Sequence, residues 1–199
     1  MATKTTTPSK IERRSHHGEV RVDGESKKIS GYAATYNDWY DIGYNVKERI
    51  LPGAFDDVLD SPDVLALVNH ERQNIPLGRS GAGTLRLKSD ARGLHYEIDP
   101  PDSPAGQNAT EAVRRGDLAE SSFAFVPSEE TWTMGENGAP DERTIVRFAE
   151  LRDVSIVAEG ANRNTDVALR SRDAARANTD AVKRAARAKR LWSLHTKGA

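Results

Sequence analysis

The sequence predicts an α+β domain that is mostly β, a barrel or sandwich of short strands with helices on its outside. Three observations point there. Short runs rich in β-branched and aromatic residues recur between Gly and Pro breaks. Only two helical stretches interrupt them before the C-terminal segment, which favours packed sheet layers over a helical bundle. The 199 residues, 37% of them hydrophobic, suffice for one core of ordinary size with polar ends.

Taken in order, residues 1–10 (MATKTTTPSK) are rich in Thr, Lys and Ser and predict a disordered segment. The domain itself is expected over 11–170. KKISGYAATY (27–36) and NVKERILPGAF (45–55) read as strands broken by Gly and Pro. GAFDDVLDSP suggests a short helix with Phe55, Val58 and Leu59 on one face and Pro62 as its stop. DVLALVNH is a continuous apolar run of strand length, hence a strand buried on both faces that emerges at Asn69 and His70. In GTLRLKSDARGLHYEIDPP, Leu85, Leu87, Leu94, Tyr96 and Ile98 alternate with polar residues around an SDARG turn, a hairpin. SPAGQNATEAVRRGDL opens on Ser-Pro, keeps helical spacing and stops at Gly116. SSFAFVPSEETWTM and ERTIVRFAELRDVSIVAEG read as further strands around the turn-rich GENGAPD. From Arg170 to Leu194 there is no Pro or Gly among many Ala, Arg and Lys, so 171–199 is expected to be a basic helical tail.

Charge divides along the same line. Between Arg170 and Ala199 nine Lys or Arg face only Asp173 and Asp180, which leaves +7; with a net charge of −1 the rest of the chain carries −8. An acidic body, and a tail with Trp192 as its one aromatic, speak against a nucleic-acid-binding module. No apolar run approaches the roughly 18 residues that span a bilayer, so no membrane partner is expected. The N-terminus lacks the apolar region of a secretory signal. Absence of cysteine removes disulfides, thiolate nucleophiles and cysteine metal sites, and fits a reducing, cytoplasmic setting. No HExxH or comparable His/Asp spacing points to a metal, and no cofactor is expected.

The remaining chemistry is that of a serine nucleophile, which needs an accessible hydroxyl, a histidine to take its proton and a group to orient that histidine. Of five histidines, His16 and His17 lie in a polar N-terminal stretch, His195 in the tail, and His95 out of phase with Leu94 and Tyr96 on the hairpin. His70 differs: it stands where a buried strand ends in the polar turn ERQN, a place where scaffolds present reactive groups. A plain turn histidine is the alternative. In GDLAESSFAFV, period-two counting puts Ser121 with Phe123 and Phe125 on the core face, and Ser122 with Ala124 and Val126 on the other. This favours Ser122 as nucleophile. FAELRDVSIV offers Glu150 and Asp153 as orienter. A carboxylate entering an apolar strand needs a partner, which favours Asp153; an ion pair with Arg152 or Arg147 is its alternative.

ISGYAATYN, ERILPGAF, VNHERQNIPLGR, TLRLKSDARGLHYEID, RRGDLAESSFAF and ELRDVSIVAEGAN, in this order, resemble the prohead (capsid maturation) proteases of tailed bacteriophages. These are serine peptidases with a herpesvirus-assemblin-like fold, and the resemblance runs from about Ile11 to Arg170. The family's histidine, in the turn before P-L-G-R, falls on His70. Its serine, before F-G-F, falls on Ser122, and its acidic member, before V-S-[IV]-V, on Asp153. Asp stands where the family mostly has Glu, which keeps Glu150 as the alternative third member, and Ala124 stands where glycine is usual. Arg72, Arg79, Arg114 and Arg115 are candidate helpers. The resemblance implies a closed or nearly closed β-barrel with surrounding helices and a C-terminal helix. It also implies cleavage of the scaffolding segment of the major capsid protein, self-cleavage, and action inside the assembling prohead in the host cytoplasm; it leaves open whether the chain self-associates as a dimer. A catalytically inactive capsid-assembly scaffold protein is the rival of another class.

Overall fold

The computed structural model describes residues 3–5, 11–16, 20–24, 26–61, 63–159 and 165–195. Along the chain these form β1 (Thr3–Thr5), β2 (Glu12–His16), β3 (Arg21–Val22), β4 (Ile29–Thr35), β5 (Tyr40–Asp41), β6 (Val46–Ile50), β7 (Leu65–Val68), β8 (Gly78–Arg79), β9 (Leu85–Ser89), β10 (Gly93–Ile98), α1 (Pro104–Arg115), β11 (Glu120–Thr133), β12 (Asp141–Val157) and α2 (Thr165–His195). The architecture is α+β and mostly sheet. The strands make two open sheets, in place of the closed or nearly closed barrel expected. One, of eight strands, is built on β1-β11-β12-β6-β5, with β2 added to β11, β7 to β12 and β8 to β7; the other runs β3-β4-β10-β9.

Strand length explains the open form. β11 and β12 have 14 and 17 residues, while their partners have three to five. Each long strand therefore takes different partners along its length. β11 pairs with β2 through Ser121–Phe125 and with β1 through Glu130–Trp132. β12 runs parallel to β6 at Asp141–Ile145 and to β7 at Asp153–Ile156. Register shifts fall around Pro127, which cannot donate to a ladder and sits where pairing is interrupted. Among the described residues no ladder joins the two sheets; they meet through side chains.

Those side chains are the ones that alternation selects. Leu94, Tyr96 and Ile98 of β10 are buried against Phe123 and Phe125 of β11 and Phe148, Val154 and Ile156 of β12. Phe55 stacks on Phe148 with ring centroids 4.4 Å apart, and Phe123 on Phe125 at 4.8 Å. Each such ring contributes about 2–3 kcal/mol by burial. The short helix expected near Phe55 is a single 3-10 turn, Asp56–Val58, yet Phe55 and Val58 still point into the core. α1 begins with Pro104 after an extended Ser103 and ends at Gly116, whose φ of 80° suits the left-handed cap.

Both chain ends differ from expectation. Thr3–Thr5 lies in the segment expected to be disordered, yet its β-branched residues add an edge strand to β11; the rest of 1–10 lies outside the described residues. The boundary expected at 170/171 falls inside one continuous helix. Ala168, Ser171 and Ala175 are buried, the two alanines packing with Trp132, Ile42 and Val46, and Arg176 holds Asp141 at 2.7 Å. Beyond this docked portion, 181–190 is exposed throughout. Among the described residues no helix is long and apolar enough to cross a membrane.

The sheet also encloses charge. Arg143 of β12 donates to Glu12 of β2 at 2.7 and 2.8 Å, to Glu48 of β6 at 2.7 Å and to Glu130 of β11 at 2.8 Å. Arg14 of β2 donates to Glu12 and Glu48, each at 2.7 Å. Ser171 of α2 and the Trp132 indole both donate to Glu130. All five ionic side chains are 4% exposed or less. Burial alone would raise the Glu12 carboxyl, but Arg143 and Arg14 outweigh it and hold it below the ordinary 4.5. Its stabilising contribution is therefore complete above that value and is lost as pH falls through the lower folded value. Replacing Arg143 with Met leaves three carboxylates short of a guanidinium. We expect a loss of about 3–5 kcal/mol in urea unfolding at pH 8. The loss is expected to be smaller at pH 5, where Glu12, still buried but deprived of Arg143, takes up a proton. A loss below about 1 kcal/mol at both pH values would contradict the buried-cluster picture.

Candidate active site

β7 lies parallel to β12, with Val68 beside Ile156. There the ladder ends: the Asn69 N–H still donates to the Ile156 carbonyl at 3.0 Å, and the Glu71 N–H closes a turn onto the Val68 carbonyl at 3.0 Å. Asn69 and His70 take φ of 51° and 60°, left-handed values that cost a non-glycine residue about 1–2 kcal/mol. This hook brings His70 back over the sheet. Beneath it, antiparallel register sets Ser122 of β11 opposite Ser155 of β12, and Ala124 opposite Asp153. Residues two apart share a face, so Ser122, Asp153 and Ser155 present their side chains to the same imidazole.

His70 Nδ1 lies 2.5 Å from Asp153 Oδ1, and His70 Nε2 lies 2.6 Å from Ser122 Oγ. An ionised carboxylate only accepts, so this pattern assigns the proton to Nδ1 and leaves the Nε2 lone pair facing the hydroxyl. Ser122 has a second acceptor, the Arg14 carbonyl of β2 at 2.8 Å. Arg72 Nη1 approaches the other Asp153 oxygen at 3.4 Å, and Ser155 Oγ donates to Oδ1 at 2.9 Å. The Asp153 side chain is 2% exposed and that of His70 9%. A cavity of about 200 Å3, lined by Arg13, Ser15, Asn69, His70, Ser122, Val157 and Glu159, opens onto the hydroxyl. A serine with a correctly protonated histidine and a buried carboxylate behind it can attack a carbonyl carbon.

Of the residues singled out by sequence, His70, Ser122 and Asp153 converge. Glu150 does not: it forms an ion pair with Arg152 at 2.6 Å on the strand surface. Arg79 pairs with Asp63, Arg114 with Glu111 at 3.8 Å, and Arg115 with Asp117 at 3.0 Å, so among the four candidate helpers only Arg72 bonds to one of these three side chains, that of Asp153. His95 packs edge-on against Tyr32 at 5.1 Å. His16 sits in β2 and His195 ends α2, while His17 lies outside the described residues. Ser121 turns the other way, into the core, where its hydroxyl meets Tyr96 Oη at 2.8 Å. The sequence pattern gave Ser155 no role and missed the Arg14 carbonyl, which no side-chain pattern could reveal. Among the described residues no three His, Asp or Glu side chains converge as metal ligands.

The model of one protein family, the caudovirus prohead serine proteases, matches residues 10–180 of this chain. Among solved structures, the capsid assembly protease of bacteriophage T4 is similar at 13% identity, over 79% of this chain and 98% of that one, with a TM-score of 0.45. No curated protein matches the chain.

The two adjacent serines are separable by experiment. Ser121→Ala strands the buried Tyr96 hydroxyl, whose ionisation burial already pushes up, and is expected to cost about 1–3 kcal/mol of stability. It is expected to leave covalent labelling of the chain by a fluorophosphonate intact. Loss of labelling in folded Ser121→Ala would show that the assignment of the two faces is wrong.

Proposed function

This chain belongs to the caudovirus prohead serine protease family, and from that premise we propose that His70, Ser122 and Asp153 are the triad with which it cuts peptide bonds. It is a serine peptidase of capsid maturation. The observation that carries the residue assignment is the unbroken relay from Asp153 Oδ1 through both imidazole nitrogens to Ser122 Oγ, at 2.5 and 2.6 Å.

The chemistry follows from that relay. Ser122 Oγ attacks the scissile carbonyl carbon as its proton passes to His70 Nε2, forming the Oγ–C bond. Asp153 stabilises the imidazolium and holds its orientation. Collapse of the tetrahedral species breaks the C–N bond, and the amine leaves with the proton from Nε2. Water then enters, gives its proton to Nε2 and cleaves the acyl ester, which returns the hydroxyl to Ser122. We take the substrates to be the scaffolding segment of the major capsid protein and this chain itself, cut inside the assembling prohead. The acidic body and basic α2 support recognition of other capsid components, or of a second copy of this chain, by charge.

Co-expression with the capsid precursor and intact mass measurement test this reading. The wild type is expected to shorten the precursor; Ser122→Ala and His70→Ala are expected not to. Asp153→Asn preserves the shape but permits the wrong tautomer, and is expected to lower the rate about 10⁴-fold. Glu150→Gln, on the surface, is expected to stay within about twofold. If wild type and Ser122→Ala process the precursor alike, the triad assignment is wrong. If neither acts although shells form, the inactive scaffold reading replaces it.

A further inference from the structure

Resting on the triad assignment, we infer that Ser155 is a positioning residue that holds the Asp153 carboxylate in place behind His70. Its Oγ lies 2.9 Å from Asp153 Oδ1 and 3.1 Å from His70 Nδ1, closing a three-membered contact around the imidazole N–H. Oδ1 has only lone pairs to offer, so the Ser155 proton goes to it. The His70 Nδ1–H points to the same oxygen, with Ser155 Oγ as a weaker second acceptor. Oδ1 thus receives two donors, and the residue supplying the second cannot turn away. Ser155 is 1% exposed and is held in β12 directly opposite Ser122.

The environment gives that hydroxyl weight. The Asp153 side chain is 2% exposed, so its oxygens depend on protein donors. The charged groups that face it are His70 and Arg72, both from the turn after β7, with Arg13 of β2 and Glu159 on the wall of the cavity. Arg72 reaches the other oxygen at 3.4 Å from a side chain that is 46% exposed, so solvent screens it. Ser155 is the buried donor. Its bond fixes the carboxylate oxygen against the imidazole N–H. Without it Asp153 has one bond fewer to hold that oxygen in place, and the effect is read in the reactivity of Ser122.

The test needs no peptide substrate. The chain is treated with a fluorophosphonate, and the rate of Ser122 modification is followed by mass for wild type, Ser155→Ala and Ser155→Thr. Ser155→Ala is expected to lower the rate about tenfold. Ser155→Thr keeps the hydroxyl on a β-branched side chain of the kind strands favour; it is expected to restore most of the rate. The far-downfield proton resonance of a carboxylate-bound imidazole N–H provides a second readout, displaced in the Ala variant and restored in the Thr variant. An Ala variant with the wild-type rate overturns the inference. So does a slower Ala variant whose resonance is unmoved, because that is a packing defect alone. If wild type is labelled no faster than Ser122→Ala, the triad assignment itself falls, an outcome distinct from any difference at position 155.

Discussion

The structure depends on a salt-bridge cluster sealed from water. Glu12, Arg14, Glu48, Glu130 and Arg143 come from four strands and bond to one another at 2.9 Å or less. Such clusters add little net stability, because desolvating each charge costs as much as pairing recovers. What they enforce is register. Shifting β2 by one residue along β11 would turn Glu12 and Arg14 to the opposite face, leaving Arg143 and Glu48 buried without their partners. The correct pairing is the one in which every charge is matched. The same cluster reaches α2 through Ser171, which ties the docked portion of that helix to the sheet.

Register in β2 matters to the chemistry because Arg14 acts twice. Its guanidinium belongs to the cluster, and its carbonyl accepts a hydrogen bond at Ser122 Oγ. The site is thus assembled from rigid pieces: Ser122, Asp153 and Ser155 on the paired long strands, β2 on one flank and β7 on the other. Only His70 stands on a turn, and that turn is constrained by backbone bonds to Ile156 and Val68 and by two left-handed residues in succession. The strain stored there is tolerated because the turn must reverse direction within two residues to bring an imidazole over its neighbouring strands.

Local patterns carried much of this in the sequence itself. The β9–β10 hairpin, α1 between Pro104 and Gly116, and the opposite facing of Ser121 and Ser122 all follow from period and capping, which short windows contain. The convergence of His70, Ser122 and Asp153 was approached partly by the polar exit of a buried run and partly by family resemblance. The open sheets were not legible, because they depend on how far β11 and β12 outrun their neighbours, and partner choice is a long-range property. The charged cluster was invisible for a related reason. Glu12, Arg14, Glu48 and Arg143 alternate with other residues as solvent-facing positions do, and their partners lie as far as 131 residues away. α2 misled through composition: its Ala, Arg and Lys look uniformly exposed, yet Ala168, Ser171 and Ala175 repeat at helical spacing and bury one stripe.

The arrangement at Ser122 explains how a buried serine can be both restrained and ready. Its hydroxyl carries one proton and has two acceptors in reach, the Arg14 carbonyl at 2.8 Å and His70 Nε2 at 2.6 Å. Both distances are measured from the same Oγ position, so moving the proton from one acceptor to the other needs only rotation of the O–H bond, with no change of side-chain rotamer. In the proposed mechanism, donation to the carbonyl leaves the oxygen unactivated and donation to Nε2 is the reactive arrangement, because the base then takes the proton as the bond to carbon forms. The two states differ by one neutral hydrogen bond traded for another, on the order of 1 kcal/mol. Under that proposal the Ser122 oxygen is already at its working position, and little reorganisation precedes the first step.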